Sequence, residues 1–540
     1  MRRPLLLLFV ALVATLPERD ALRASEVSVA EVAVTEVAGG IRFEVDGKLF
    51  TEWRTKDWVA PFLYPVIGPN GESITRHYPM RTGMPGEEQD HPWHRSIRFS
   101  HSDVNGFNFW WAPGPKLAGH TAEIKLEKIE KLTDGKTGEA IFWNQWLGDG
   151  KLVLRERVRL AVTPLPRGET LLDYDIELHV GDKPVKFGDK RDGGLLVRVA
   201  GTMKAEDEKG NKFAGTIVNS RGDKNRDAWG KRAEWTDYSG PDPSGKTAGI
   251  AMFDHPLNLR YPTHWHARTY GLLTANRFGT DHFQGNYEDH RKLICAPSKG
   301  ANCPACASHS GDYEIPAGGN VALRQRFYFH HGEATATSEA AAAGIAEQYR
   351  AYTAEPKATV AVMKSLLQQY RSGQLVEQYG DVDINSWPAE LAAEKVDALR
   401  TRAMAFSVVR KSAQAEADYK AAIALDPNDA MTWISLADHY ANVAADGTKA
   451  AAAYRHVLTL SRNGGSWMTI HATLAIAREA IDRVRPDEAL AVLKPLDDVP
   501  LAPTWRAKAL RVRGHAYAAQ GKDAESLEMF RKALALETVK

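Results

Sequence analysis

Between Val27 and about Tyr328 the chain is a succession of short β-type segments broken by Gly, Pro, Asp and Asn, and no long helical period interrupts them. This pattern constrains the fold more than any other feature. Ile41–Val45, Ala122–Leu132, Ala140–Leu147, Lys151–Val162, Thr170–Val180 and Val321–His331 are the clearest segments, and several alternate apolar with charged residues. Alternation with period two suits antiparallel strands with one wet face. About 300 residues of this kind predict a large antiparallel β-sandwich, of the sort seen in aldose epimerases and related sugar-processing proteins. At that level the likeness is one of architecture and says little about function.

One stretch inside this region concentrates chemistry. Ile74–Trp111 holds four histidines (His77, His91, His94, His101), four arginines (Arg76, Arg81, Arg95, Arg98) and the carboxylates Glu87, Glu88, Asp90 and Asp103, with Glu72 nearby. Many sit beside aromatics and strand formers, where an unpaired buried charge costs several kcal/mol. Pro85-Gly86 reads as a turn, Glu87–Asp90 as an acidic loop and Ser96–Ser100 as a half-buried strand, so the loop delivers His91 and His94 to a strand end. A satisfied polar network bracing a long loop is the alternative.

A second cluster is FDHPLNLRYPTHWHARTYG. If Thr263–Tyr270 is a strand, its period places His264, His266 and Arg268 on one face and Trp265 on the other. His264, at the proline-linked entry, then supports a ligand, and Asn276 lies on a loop returning to the same end. The expected roles are acid–base chemistry by Asp90, His94 and His266, with Arg95 and Arg268 holding a carboxylate or polarising a carbonyl or ring oxygen. Arg76, His77, His91, His101, Asp103, Trp110, His264, Arg268 and Asn276 complete the expected substrate contacts. Trp110 is singled out among the tryptophans because an aromatic face among hydrogen-bonding groups suits a sugar ring. A rival expectation is a zinc, copper or iron centre using His91 and His94 with His77 or His101 and a carboxylate, although HPWH matches no defined metal signature.

The segment YPVIGPNGESITRHYPMRTGMPGEEQDHPWHRSIRFSHSDVNGFNFW, with WTDYSGP, FDHP and PTHWHARTYGLLTANRFG, resembles the PmoA-like family, over roughly residues 40 to 350. That family is a soluble bacterial domain of unknown function often labelled "methane oxygenase PmoA". The resemblance implies a domain, not a chemistry. The membrane methane monooxygenase subunit has several spanning helices, and this sequence offers no mature one.

The start of the chain, MRRPLLLLFVALVATLPERDALRA, has a basic pair, an apolar run from Leu5 to Leu16 and a small residue at Ala24. The run is shorter than the ~20 residues a span needs, so residues 1–24 read as a removed secretory signal and the product as secreted or periplasmic; a retained anchor is the alternative. Removal takes away four basic and two acidic side chains and moves the formal net charge from +1 to −1. Nothing in that balance favours nucleic acid. Cys303 and Cys306 form a CxxC without a surrounding βαβ pattern. The three cysteines, including Cys295, therefore read as one disulfide plus one thiol, or as a Cys3His knot with His309.

The expected organisation is a β-sandwich over 25–335, a helical connector and linker over 336–400 with its break at Tyr379–Glu390, and an all-α helical-repeat domain over 401–540. Ala415–Asp429, Lys449–Asn463 and Asp523–Glu537 share an aromatic-small-leucine pattern, and Pro486–Asp498 is a weaker copy. Tyr419 and Tyr454 lie 35 residues apart and Trp433 and Trp467 lie 34 apart. These separations are near the ~34-residue tetratricopeptide period, and the region resembles such repeats. Stacked helix pairs leave a concave face suited to a protein partner. Three functional readings follow: a carbohydrate-related enzyme acting on a sugar or sugar-derived carbonyl, a non-catalytic glycan-binding module, or a metal-dependent oxidoreductase.

Overall fold

The computed structural model describes residues 30–84, 87–111, 120–283, 311–332, 339–460 and 465–537. The expected signal, the Pro85-Gly86 turn and all three cysteines with His309 lie outside these residues.

Two antiparallel sheets of eight strands make up the N-terminal region. The first runs in the order β1 (Val32–Val37), β2 (Gly40–Val45), β3 (Lys48–Arg54), β4 (Phe62–Val66), β5 (Ile97–His101), β11 (Gly193–Arg198), β16 (Leu272–Asn276), β15 (His264–Arg268). The second runs β12 (Thr216–Asn219), β13 (Trp235–Pro241), β14 (Thr247–Asp254), β18 (Asn320–His331), β9 (Thr170–His179), β8 (Lys151–Pro164), β7 (Gly138–Gly148), β6 (Ala122–Thr133). A small pair, β10 (Val185–Phe187) with β17 (Tyr313–Ile315), sits apart.

The apolar set of each strand fills one core. Phe43, Trp53, Ile97, Phe99, Leu195, Val197, Leu273, Ala275 and Trp265 from the first sheet join Phe142, Trp146, Val158, Leu160, Tyr174, Ile176, Met252 and Phe327 from the second. Within this core Glu156 is fully buried; its Oε2 accepts from Asn144 Nδ2 at 3.0 Å and Trp146 Nε1 at 3.1 Å.

The alternate residues of the second sheet face outward as a charge ladder. Arg155 pairs with Glu127 (3.1 Å), Arg157 with Glu130 (2.9 Å) and Glu177 (3.1 Å), Arg159 with Glu139 (2.6 Å) and Asp175 (3.1 Å), and Arg326 with Asp173 (2.5 Å). Opposite charges on facing positions support a wet sheet face and keep it from pairing with another sheet. Further along that face the charges give way to Leu171, Trp235, Ala251, Phe253 and Tyr328, and the helix Glu339–Tyr352 covers them with Ile345 and Tyr349.

The remaining chain is all-α. Five helical hairpins follow: Pro356–Gln368 with Ser372–Tyr379, Ala392–Val408 with Ser412–Leu425, Ala430–Asn442 with Gly447–Leu460, Trp467–Asp482 with Pro486–Leu493, and Pro503–Ala519 with Asp523–Glu537. Each turns through one left-handed residue: Tyr370, Arg410, Ala445, Val484 and Gly521. In four of them the next N–H reaches back five residues, as from Arg371 to Leu366 O and from Arg485 to Ala480 O, which closes the first helix of the pair. The first hairpin, expected as part of a connector, shares a core with Ala392–Val408 through Val362, Leu366, Leu375, Val396 and Leu399. Arg402 ties down the expected linker. It pairs with Asp418 at 2.7 and 2.9 Å and donates to the carbonyls of Tyr379, Gly380 and Val382.

Candidate active site

Strands β5, β11, β16 and β15 place polar groups on the face turned away from the core. Their register forms two cross-strand rows, Arg98–Leu196–Thr274–His266 and Arg198–Leu272–Arg268. The segment leading into and out of β5 lies over this face, packing Trp93, Trp110 and Trp111 with Leu196, Tyr270 and Leu272.

Asp90 and His91 are at the centre. His91 Nδ1 lies 2.5 Å from Asp90 Oδ2, and Asp90 Oδ1 accepts from Arg76 Nη1 at 2.5 Å and from Arg198 Nη2 at 3.2 Å. Burial alone raises a carboxyl's pKa, but the His91 hydrogen bond and the two guanidiniums hold Asp90 well below its ordinary value. Arg76 is itself pulled down to about 10 by burial and by the charge of Arg198. It also donates to the His91 carbonyl at 2.8 Å, which fixes the backbone at a residue with φ 41°. The His91 ring stacks on His94 (4.8 Å) and on Tyr270 (5.5 Å), and Tyr270 carries the guanidinium of Arg198 on its ring at 4.5 Å. Nδ1 is the His91 nitrogen engaged by Asp90, and the side chain is part exposed.

His94 and His266, expected as the acid–base pair, lie deeper. Both are almost fully buried, and both have pKa values pushed well down, His94 by burial and then Arg198, His266 by burial and then Arg268. Neutral, enclosed imidazoles support a ligand better than they exchange protons with it. Arg95 leaves the cluster altogether and lies over Trp58 (4.7 Å) and Phe62 (5.4 Å).

The remaining expected contacts divide. Arg268 stays on the face, beside Tyr270 at 5.2 Å. His264 stacks on Phe283 at 5.5 Å. Asn276 braces the approach of β11 by donating to the carbonyls of Lys190 and Arg191, both at 2.8 Å. His77 pairs with Tyr64 Oη at 2.7 Å. His101 turns to the core side between Phe187 and Phe278 and pairs with Gly188 O at 2.7 Å, because its strand parity is that of Ile97 and Phe99. Asp103 holds a turn through Gly106 N at 3.1 Å. Trp110 has no exposed surface; it lies edge-on to His94 at 5.6 Å and offers no face to a sugar.

Sequence reasoning missed Arg198, Tyr270 and Glu208. A lone arginine at the end of the apolar run GGLLVR was the available signal, since its burial requires a carboxylate partner. Near the Asp90–His91 pair and along the Arg98–His266 row several buried polar atoms lack a protein partner among the described residues: Trp93 Nε1, His94 Nδ1, Trp110 Nε1, His266 Nδ1 and Thr274 Oγ1. Buried polar atoms are normally satisfied, so such a concentration marks a place for polar ligand groups or ordered water.

Among the described residues, metal-like spacing occurs at Asp90, His91 and Glu208, whose ligand atoms lie within 4.8 Å of one another. His77, His94 and His101 are not part of it. Asp90 already receives two guanidiniums and His91, which oppose a cation at the same oxygens.

Residues 40–344 match the model of a family described as "Family of unknown function (DUF6807)". The chain belongs to that family. The comparison with curated proteins finds no match. Outside the DUF6807 region, about a third of the chain resembles solved tetratricopeptide structures. MamA is 17% identical, with 33% of this chain and 94% of that chain covered and a TM-score of 0.27. YrrB, described as a TPR protein with an unusual peptide-binding site, is 15% identical over 34% and 86%, with a TM-score of 0.27. A putative kinesin light chain from Podosopora anserina with TPR-like repeats is 14% identical over 34% and 93%, with a TM-score of 0.30. Among the described residues no helix is long and apolar enough to cross a membrane.

Proposed function

We propose that the DUF6807 domain is an acid–base enzyme for oxygen-rich, anionic small molecules, of the class of sugar acids and sugar-derived carbonyl compounds. The observation that carries this reading is the Asp90–His91 pair at 2.5 Å, with Nε2 of His91 left for the substrate. In this reading His91 moves the proton, Asp90 fixes its tautomer and stabilises its charged form, and Arg268 meets the substrate's carboxylate or polarises its carbonyl. His94, His266 and Thr274 supply the polar groups that hold hydroxyls. The PmoA-like resemblance, the epimerase-like architecture, export, and docking of the repeats on a protein partner belong to the same proposal.

The test is a turnover screen of the purified full-length protein against uronic acids, aldonic acids and keto-sugars, each beside its neutral counterpart. Turnover of acidic members with weak or no turnover of the neutral ones supports the reading. Binding without turnover across the panel replaces it with a glycan-binding module. A second reading, a divalent metal at Asp90, His91 and Glu208, rests on their spacing. Metal analysis of wild type and Glu208→Gln separates the two: stoichiometric metal lost in the variant favours the metal.

A further inference from the structure

The outward face of the second sheet carries a cavity of about 570 Å³, on the other side of the sandwich core from His91. Its floor comes from β8, β9 and β18, where the register sets Arg159, Asp175 and Arg324 in one row and Asp173 beside Arg326 in the next. Tyr352, at the end of the helix that covers the rest of this face, forms a wall together with His255 and Glu355. The Tyr352 ring carries the Arg326 guanidinium at 4.5 Å and meets His255 edge-on at 5.1 Å. Its hydroxyl is buried and has no partner among the described residues.

The lining has no net charge. Four arginines stand against four carboxylates, and His255 is held neutral, its pKa lowered to about 4 by burial and by Arg324 and Arg326. The floor charges are already spent on each other, Arg159 on Asp175 at 3.1 Å and Arg326 on Asp173 at 2.5 Å. An ionic ligand would have to break such a pair and pay its desolvation. A hydroxyl can instead accept from a spare guanidinium N–H and donate to a spare carboxylate lone pair, leaving the pair intact. Vicinal hydroxyls on a ring with apolar C–H faces match this floor and its tyrosine wall.

We propose that this cavity is a binding site for a neutral saccharide, separate from the acid–base site and independent of its chemistry. Ala322, exposed on β18 opposite Glu177, is the small residue that leaves the floor open. The experiment is saturation-transfer NMR and calorimetric titration of the full chain with cellotetraose, xylotetraose, maltotetraose and mannotetraose. Wild type should bind at least one of them. Ala322→Trp, which fills the floor, should weaken that binding by about tenfold or more, Tyr352→Phe by about threefold, and His91→Asn should leave it unchanged. The proposal is overturned if none of the four binds, if Ala322→Trp binds as wild type does, or if His91→Asn abolishes binding and so moves the signal to the other face.

Discussion

Asp90 and His91 are neighbours in sequence whose side chains are joined at 2.5 Å, while the guanidiniums of Arg76 and Arg198 hold the same carboxylate from below. The His91 imidazole is thereby oriented by its own chain neighbour.

Replacing that neighbour should disable the pair and, because Arg76 and Arg198 are buried, also lower stability. Asp90→Asn keeps the shape but presents an amide where the imidazolium needs a carboxylate, and it leaves two guanidiniums uncompensated. Turnover on any substrate found should fall by about 10²–10⁴-fold. An unchanged rate would remove Asp90 from the mechanism.

The core carboxyl Glu156 sets a pH dependence of stability. Burial pushes its pKa up to about 7. The folded state therefore favours the protonated form, so stability is greatest below the ordinary glutamate range and is lost as pH rises towards 7. Glu156→Gln keeps an acceptor for Asn144 and Trp146 and removes the charge. It should be more stable than wild type at pH 8 by about 3 kcal/mol and nearly equal at pH 4. Denaturant unfolding at both pH values checks this; equal stability at pH 8 would mean that Glu156 ionises without cost.

The helical hairpins offer a second stability test. Val484 is 79% exposed and sits at φ 59°, where a β-branched residue is strained and glycine is not. Gly521 occupies the corresponding turn of the last hairpin. Val484→Gly should stabilise the repeat region by about 1 kcal/mol, read as a higher midpoint of thermal unfolding.

Gly193 should tolerate no side chain. A Cβ there would lie 1.8 Å from His101 Nδ1. Gly193→Ala should therefore destabilise the domain by about 1–3 kcal/mol, and the loss should shrink in a His101→Ala background, where the clash is gone.

Much of the fold was legible because strands announce themselves by parity. Ala122–Leu132, Ala140–Leu147, Lys151–Val162 and Val321–His331 fall within a few residues of β6, β7, β8 and β18. The alternation in His264–Arg268 sends Trp265 into the core. Parity also told His101 apart from Arg98, but only once the position of β5 was known. The roles of His91 and His94 could not be read in this way. They belong to a loop with left-handed residues at His91 and Ser96, where no period predicts which ring is exposed. Arg198 comes from a strand more than 100 residues away, and only the sheet order brings it under Asp90. The first helical hairpin escaped because its two helices lack the aromatic-small-leucine pattern of the later copies.

The most direct measurement compares His91→Asn with His94→Asn on the best substrate of the acidic-sugar panel, following kcat and KM separately. His91→Asn should lose about 10²-fold or more in kcat, while His94→Asn should mainly raise KM. A His91→Asn variant that turns over at the wild-type rate, or a kcat loss confined to His94→Asn, would rule out His91 as the proton-transfer group.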